Sequence, residues 1–306
     1  MPVIRKVAIL GAGAIGAYFG KSFFDSPEFQ TSLIATGSRY DKLKNKGLVI
    51  NGKPYLIPVI NPVQAVSPVD LIIVALKQYH LNDAVKDLGN IIGESTTIVS
   101  FMNGLDSEEY IGSVYGMEKV LYGISVGIDA TRQENRISYK KPGKHFFGEA
   151  NNSQLSQRVL AVQEAFTKVG ITFETPEYMI RTLWWKFMVN VGMNPASAVM
   201  RANYKVFQTN SAAQALMEAL MKEVISFAEV MEINLTPKDI VEWYSFLHQL
   251  APDGKTSMLQ DIEAGRQTEI DTFCGKVVEM GKVHSIPTPV NQALLNIVHV
   301  LEGISV

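Results

Sequence analysis

The chain has 306 residues, a length that predicts two domains or one large one. Hydrophobic residues make up 47% of it and charged residues 19%, which excludes a disordered or fibrous protein. The formal net charge of -2 excludes a general electrostatic attraction to nucleic acid or anionic membranes. No apolar run reaches the roughly 18 residues of a membrane span, and the N-terminal pattern differs from that of a signal peptide. We therefore expect a cytoplasmic protein without a nucleic-acid or membrane partner.

The first half of the chain alternates short apolar runs with helix-compatible stretches. The predicted strands lie at 3–10, 31–36, 70–76, 97–101 and 171–174. The predicted helices lie at 14–24, 81–92 and 154–169. Such alternation is typical of a parallel sheet that is covered by helices on both faces. Glycines between 120 and 148 separate short β-like segments and indicate hairpins at a sheet edge.

Beyond Pro176 the pattern is almost entirely helical, so we place a domain boundary between residues 175 and 176. The predicted helices lie at 177–194, 212–231, 237–250, 257–264, 269–284 and 290–301. The expected organisation is an α/β domain over 1–175 followed by an all-α domain over 176–306. Five scattered histidines lack the spacing of metal ligands, and we expect no metal.

A glycine motif of the form G-x-G-x-x-G follows the first predicted strand and opens the first predicted helix. Its residues are Gly11, Ala12, Gly13, Ala14, Ile15 and Gly16. In this context the motif predicts a Rossmann-like dinucleotide site, with the pyrophosphate at the helix N-terminus. The alternative is a tight strand-to-helix turn without a ligand.

The end of the second predicted strand bears on the choice between NAD and NADP. NAD sites usually carry an acidic residue there, but none lies between Gln30 and Tyr40. Thr36, Ser38 and Arg39 are instead suited to a 2′-phosphate, which favours NADP(H). The alternative for Arg39 is a solvated arginine in a loop.

Three polar residues repeat every four positions along the predicted helix 177–194. Lys186, Asn190 and Asn194 therefore form one stripe among apolar neighbours. A stripe of this kind points into a cleft or a protein interior, where a lysine must be paired, lose basicity or reach water. The alternative is a lysine that extends to solvent from a half-buried helix, beside asparagines that bridge helices.

The combination and order of several motifs resemble the ketopantoate reductase (2-dehydropantoate 2-reductase) family over essentially the whole chain. The motifs are the glycine motif, Val74-Ala75-Leu76-Lys77, Asn103-Gly104, the Lys186-Asn190-Asn194 stripe, and the segment from Ser257 to Asp271 that contains Glu269. The resemblance implies a Rossmann-like domain followed by a helical domain like that of 6-phosphogluconate dehydrogenase. It also implies NADPH-dependent reduction of 2-dehydropantoate to D-pantoate, a step towards pantothenate and coenzyme A.

The resemblance further implies roles for individual residues. Lys186 would be the general acid, and Glu269 would orient the substrate and the lysine and line the cofactor site. Asn190, Asn194 and Ser257 would hold the substrate. Asn103 and Lys77 would line the cofactor and the substrate cleft. The only implied partner is a small 2-keto acid, with a monomer or a homodimer as the oligomeric state.

Two of these positions have an alternative interpretation as helix caps. Thr268 with Asp271, and Ser257 with Gln260, each match the spacing of a capping box. Without the resemblance we prefer the interpretation of these residues as helix caps. With the resemblance, Glu269 becomes a predicted site residue.

Some positions depart from the family pattern and leave two other functions open. Gly254 stands where relatives often have asparagine, and the stretch from Pro195 to Lys205 lacks the usual glycine. Arginine near Thr36 is also usual, so either Arg39 replaces it or the preference for NADP is weaker. These departures suggest a D-2-hydroxyacid dehydrogenase for another branched 2-keto acid. A non-catalytic NADP(H)-binding sensor is the alternative outside the enzymes.

Overall fold

A computed structural model describes residues 3–64 and 67–304 of the chain. It divides into two compact units, Met1–Ile180 and Arg181–Val306, which we call the N-terminal and C-terminal units. The sequence places the domain boundary at Pro176, within the last residues of the N-terminal unit.

The strands all belong to the N-terminal unit and alternate with helices along most of it. The strands are β1 (Lys6–Leu10), β2 (Gln30–Ile34), β3 (Leu48–Ile50), β4 (Lys53–Tyr55), β5 (Val59–Ile60), β6 (Val69–Val74), β7 (Ile92–Ser100), β8 (Val120–Val126), β9 (Asp129–Gln133), β10 (Arg136–Lys141), β11 (Lys144–Gly148) and β12 (Phe173–Glu174). The helices before residue 175 are α1 (Ala14–Phe24), α2 (Gly37–Lys46), α3 (Leu81–Lys86), α4 (Ser107–Tyr115) and α5 (Gln157–Lys168).

The larger sheet has the order β12-β11-β8-β7-β6-β1-β2-β5. From β8 to β5 its neighbouring strands run parallel, and β11 runs antiparallel to β8. The central strand β1 explains why helices cover both faces: Val7 and Ile9 belong to one apolar cluster, whereas Ala8 and Leu10 belong to another. Because alternate side chains of a strand point to opposite faces, β1 is buried on both sides. The predicted α/β class is confirmed.

The strands of region 120–148 belong to two different sheets, whereas the sequence suggested hairpins at one sheet edge. Strands β8 and β11 extend the larger sheet. Strands β9 and β10 form a hairpin in a smaller sheet of order β4-β3-β10-β9. The second sheet was missed because β10 pairs with β3, a strand that is far away in the sequence and only three residues long.

The rest of the chain is helical, as predicted. The helices are α6 (Met179–Met200), α7 (Tyr204–Thr209), α8 (Ser211–Ile225), α9 (Pro237–Leu247), α10 (Ser257–Glu263), α11 (Lys276–His284) and α12 (Pro289–Ile304). A π-helical turn over Asp271–Gly275 precedes α11. The prediction that the long helix ends at Asn194 was wrong, because α6 continues through Pro195. The residues around Pro195 are buried, and this packing outweighs the hydrogen bond that proline cannot donate.

Candidate functional site

The glycine motif forms the turn between β1 and α1, and each of its glycines meets a different steric demand. Gly11 has a φ of +106°, and a Cβ on it would lie 2.4 Å from the carbonyl oxygen of Ala75. A Cβ on Gly16 would lie 1.7 Å from the carbonyl oxygen of Gly11. At Gly13, by contrast, the nearest atom to such a Cβ lies 4.0 Å away. The turn therefore has no room for a side chain at Gly11 or Gly16, whereas the space beside Gly13 is open.

The open position coincides with the start of a helix. Gly13 is the N-cap of α1 and supplies no side-chain cap to the first N–H groups. Ala12 is buried, and Ala14 and Ile15 pack against the same apolar cluster, so the motif presents its backbone rather than its side chains. A backbone of this form, at a helix N-terminus, fits the diphosphate of a dinucleotide.

The position of this turn in the sheet matches that of a cofactor site. Strand β1 lies between β2 and β6, so the chain leaves β1 on one side and later returns on the other. Ligands of open α/β sheets bind at such a switch point, outside the carboxyl ends of the strands.

Basic side chains meet beside the turn, at the carboxyl ends of β2 and β6. Arg39 lies in the first turn of α2, whose N-cap is Thr36, so the interpretation of Arg39 as a loop residue was wrong. Lys77 follows β6 and caps the short 3-10 helix Gln78–His80. Burial lowers the pKa of His80, and the positive charges of Arg39 and Lys77 lower it further, which places the three side chains near one another. His80 was not predicted, because a lone histidine after a strand has no distinctive pattern in the sequence.

Asn103 and Gly104 follow β7, in a segment between two members of a buried polar network, Ser100 and Ser107. The Ser100 and Ser107 hydroxyls are 2.8 Å apart, and the Ser107 hydroxyl donates to Glu108 at 2.7 Å. Burial raises the pKa of Glu108 to about 7, although the hydrogen bond from Ser107 by itself lowers this pKa. The sequence analysis did not identify Glu108, whose burial follows from helix α4 packing on the sheet.

The predicted stripe on α6 is present in the C-terminal unit. Asn190 and Asn194 are buried, and the Asn194 amide nitrogen lies 3.4 Å from the Asn190 amide oxygen. Lys186 is half-buried one turn earlier on the helix. Burial lowers the pKa of Lys186 to about 8.

Ser257 joins this stripe from the start of α10. Its hydroxyl donates to the Asn194 amide oxygen at 3.1 Å, and the backbone N–H of Met258 donates to the same oxygen at 3.3 Å. The interpretation of Ser257 as a helix cap was wrong, because the N-cap is Thr256, whose hydroxyl accepts from the Leu259 N–H. The Ser257 hydroxyl is thereby directed to the stripe.

Glu269 is buried just before the π-helical turn. The capping box proposed for this segment is not the arrangement observed. The Thr268 N–H donates to Glu302 at 2.7 Å, and Asp271 bonds to His299 at 3.0 Å. Residues from α12 thus take the places that a local capping box would fill.

The predicted site residues fall into two sets. In the N-terminal unit the glycine turn, Arg39, Lys77 and Asn103 lie at the carboxyl ends of neighbouring parallel strands. In the C-terminal unit Asn190, Asn194 and Ser257 are linked by hydrogen bonds, Lys186 lies on the same helix as the two asparagines, and Glu269 is buried in the same unit.

Over residues 3–64 and 67–304, histidine, cysteine and carboxylate side chains form no group of three or more able to hold a metal ion. Within the same ranges no helix has the length and apolar character needed to cross a membrane.

Comparison with known proteins gives matches over nearly the whole chain. Residues 7–152 match the family described as ketopantoate reductase PanE/ApbA, and residues 179–302 match its C-terminal domain. The 2-dehydropantoate 2-reductase of Pyrococcus horikoshii is 27% identical over 98% of each chain. That of Pyrococcus abyssi is 28% identical over 97% of this chain and 99% of its own. A D-mandelate dehydrogenase, solved with NADH and anilino(oxo)acetate, is 25% identical and has a TM-score of 0.87 over 98% of this chain and 99% of that one.

Proposed function

Because the chain belongs to the ketopantoate reductase family, we propose that it reduces the ketone of 2-dehydropantoate to D-pantoate with NADPH. The observation that carries this proposal is the polar stripe on α6 together with Ser257 at the start of α10. It sets a half-buried ammonium, Lys186, on the same helix as Asn190 and Asn194, with the Ser257 hydroxyl bonded to Asn194. The N-terminal unit would hold the dinucleotide and the C-terminal unit the keto acid.

Lys186 has the chemistry that ketone reduction requires. The nicotinamide, when bound, supplies the hydride that adds to the carbonyl carbon. Negative charge then develops on the carbonyl oxygen, where the Lys186 ammonium stabilises it and donates the proton. A pKa of about 8 keeps this lysine protonated near neutrality and eases the transfer of its proton.

The neighbouring polar groups are suited to hold the keto acid in place. Asn190, Asn194 and Ser257 provide amide and hydroxyl groups for the carboxylate and the hydroxyl of the substrate. Their mutual hydrogen bonds orient them before binding, which reduces the entropy lost when substrate binds. Glu269 orients the substrate and Lys186 in this proposal, and Asn103 lies beside the cofactor.

The basic residues at the ends of β2 and β6 support a preference for NADPH. Arg39 and Lys77 bring positive charge to the place where an NAD site usually has an acidic residue, and this charge lowers the pKa of His80. The preference is tested by measuring kcat/KM with NADPH and NADH for the wild type and for Arg39→Ala. A lower NADPH-to-NADH ratio in the variant is expected, and an unchanged ratio would remove Arg39 from the 2′-phosphate site.

The main test is NADPH oxidation with 2-dehydropantoate, followed by absorbance, for the wild type and for Lys186→Ala. Turnover that depends on NADPH and is lost in the variant is expected. If the wild type binds NADPH but turns over no 2-keto acid, the reductase proposal fails and the sensor alternative gains support.

A second candidate substrate follows from the contact between Gly254 and Tyr204. A Cβ on Gly254 would lie 2.9 Å from the Tyr204 ring, so the ring occupies the space that an asparagine side chain would need. Two of the three departures from the family pattern, Gly254 and the stretch that contains Tyr204, therefore lie in contact. This contact favours a D-2-hydroxyacid dehydrogenase for a 2-keto acid that lacks the hydroxyl of 2-dehydropantoate. The kcat/KM values for 2-dehydropantoate and 2-ketoisovalerate separate the two candidates.

A further inference from the structure

Strand β9 carries an arginine on the face of the small sheet that is turned towards α1. Arg132 is the cross-strand partner of Ile137, and partners in an antiparallel pair point to the same face. Ile137 is buried in the apolar cluster that contains Ala12. Two residues further along β10, Tyr139 places its ring 5.7 Å from that of Tyr18 on α1. Arg132 therefore projects from the face that packs against the helix of the glycine motif.

The guanidinium of Arg132 lies beside the open glycine of the motif. Its Nη1 is the atom 4.0 Å from the Cβ position of Gly13. Its Nε donates to the carbonyl oxygen of Glu134 at 2.9 Å. Glu134 has a φ of +52° in the turn of the β9–β10 hairpin. The turn thus holds the Nε of Arg132, while its Nη1 lies beside Gly13.

We propose that Arg132 binds the diphosphate of the nicotinamide dinucleotide, as a second, side-chain contributor to the site formed by the glycine turn. The inference rests on the proposed function, because it requires a dinucleotide at this turn. Gly13 is where the backbone of such a motif comes closest to the pyrophosphate. A guanidinium at that place offers two N–H groups in a planar fork that matches phosphate oxygens.

The position of Arg132 separates its role from that of the other basic residues. Arg39 and Lys77 are the cations that lower the pKa of His80, at the ends of β2 and β6. Arg132 approaches from the small sheet and faces Gly13. The diphosphate is common to NADPH and NADH, whereas the 2′-phosphate belongs to NADPH alone. Arg132 should therefore raise the affinity for both dinucleotides by the same factor.

The same hairpin provides a matched control. Arg136 is exposed on β10 and precedes Ile137, so its side chain leaves the sheet on the opposite face. Arg136→Ala removes the same charge from the same hairpin without removing a group near Gly13. Arg132→Lys keeps the charge but loses the planar fork, which separates charge from geometry.

The test is direct titration of the protein with NADPH and with NADH, followed by nicotinamide fluorescence. Arg132→Ala is expected to weaken both affinities by the same factor, about ten- to a hundred-fold, with Arg132→Lys in between and Arg136→Ala unchanged. Thermal unfolding of each variant identifies any loss of folding, which the exposed position of Arg132 makes unexpected.

Three results would overturn the inference. Equal affinities in Arg132→Ala and wild type would make Arg132 a surface residue that only stabilises its own turn. A loss confined to NADPH would move its contact to the 2′-phosphate. If the wild type binds neither dinucleotide, the proposed function itself fails, and the inference fails with it. The two failures are distinguishable: the inference alone fails if the wild type and Arg132→Ala bind the dinucleotides equally well, whereas the proposed function fails if the wild type binds neither.

Discussion

The Ser257 hydroxyl donates to the amide oxygen of Asn194 at 3.1 Å, across 63 positions of sequence. The same oxygen accepts the backbone N–H of Met258, so one asparagine of α6 receives two bonds from the first turn of α10. The amide nitrogen of Asn194 is directed to Asn190. Asn194 thus holds α10 to α6 in addition to the substrate role proposed for it.

Asn194→Ala is therefore expected to destabilise the protein more than Ser257→Ala. The first change leaves the buried N–H of Met258 without its acceptor and should cost about 1–3 kcal/mol, whereas the second removes one hydroxyl from an exposed residue. Urea unfolding of both variants and of the double variant measures this difference and the coupling. Asn296→Ala, at an exposed position of α12, is the control.

The two bonds to Asn194 also make the effects of the variants non-additive. A coupling free energy of about 0.5 kcal/mol or more is expected for residues in contact. Additive losses would mean that the Ser257 hydroxyl contributes no stability through Asn194. An equally large loss in Ser257→Ala would also contradict the ranking.

The glycines of the nucleotide motif should separate into a folding role and a binding role. Gly16→Ala places a Cβ 1.7 Å from the Gly11 carbonyl oxygen, so a marked loss of thermal stability is expected. A Cβ on Gly13 would have its nearest neighbour, the Nη1 of Arg132, at an ordinary contact distance of 4.0 Å, and a φ of -80° suits alanine, so Gly13→Ala should retain stability. The added methyl group instead occupies the side from which the diphosphate approaches, and the affinity for NADPH should fall.

Thermal unfolding and NADPH titration of the two variants test this separation. Gly20→Ala, later in α1, is a control for alanine at a packed helical glycine with milder contacts of 3.3 Å. Full cofactor affinity in Gly13→Ala would show that the dinucleotide does not approach this glycine.

Local chemistry explains which features the sequence predicts well. The bounds of α1, Ala14–Phe24, were predicted correctly because the glycine motif and the apolar periodicity lie within one continuous segment. The stripe on α6 is equally local, since residues four apart share a helix face. The family resemblance was confirmed because its motifs are spread over both units.

Features that depend on distant partners were missed or wrong. Pro195 indicated the end of a helix, but burial of its neighbours carries α6 onward. Ser257 matched a capping pattern, yet Thr256 caps α10 and Ser257 bonds to a residue on another helix. Arg39 lies in a helix that the apolar pattern does not show, because Leu43 is its only buried residue. At Pro195 and Ser257 a tertiary contact overrides the local preference.

The buried carboxyl of Glu108 should make the free energy of unfolding decrease as pH rises towards neutrality. Burial raises its pKa from 4.5 to about 7, so between these values the unfolded chain releases a proton that the folded protein keeps. The free energy of unfolding therefore decreases over this window, by up to about 3 kcal/mol for this group. Below pH 4.5 both states are protonated and the loss disappears.

Glu108→Gln replaces the protonated carboxyl with a neutral amide and should remove this pH dependence. Urea unfolding at several pH values between 4.5 and 7 measures how the free energy of unfolding changes with pH. Glu94→Gln is the control, because Glu94 is exposed and is not among the charges that act on Glu108. The same slope in wild type and Glu108→Gln would assign the pH dependence to other groups.

Lys186 should set the alkaline limit of the reductase reaction. Its pKa of about 8 means that the proton donor is lost as pH rises above this value, so kcat/KM for ketone reduction should fall about ten-fold per pH unit. Stability should change in the opposite direction. Between pH 8 and 10.5 the unfolded chain keeps the lysine proton that the folded protein has released, so the free energy of unfolding rises with pH.

Lys186→Met tests both effects in one variant. Its activity should drop by about two to four orders of magnitude, while its stability near neutral pH should increase because a half-buried charge has been removed. Lys205→Met, at an exposed position on α7, should leave both quantities unchanged. A wild-type rate that stays constant well above pH 8, or a Lys186→Met variant with near-normal turnover, would assign the proton donor to another group.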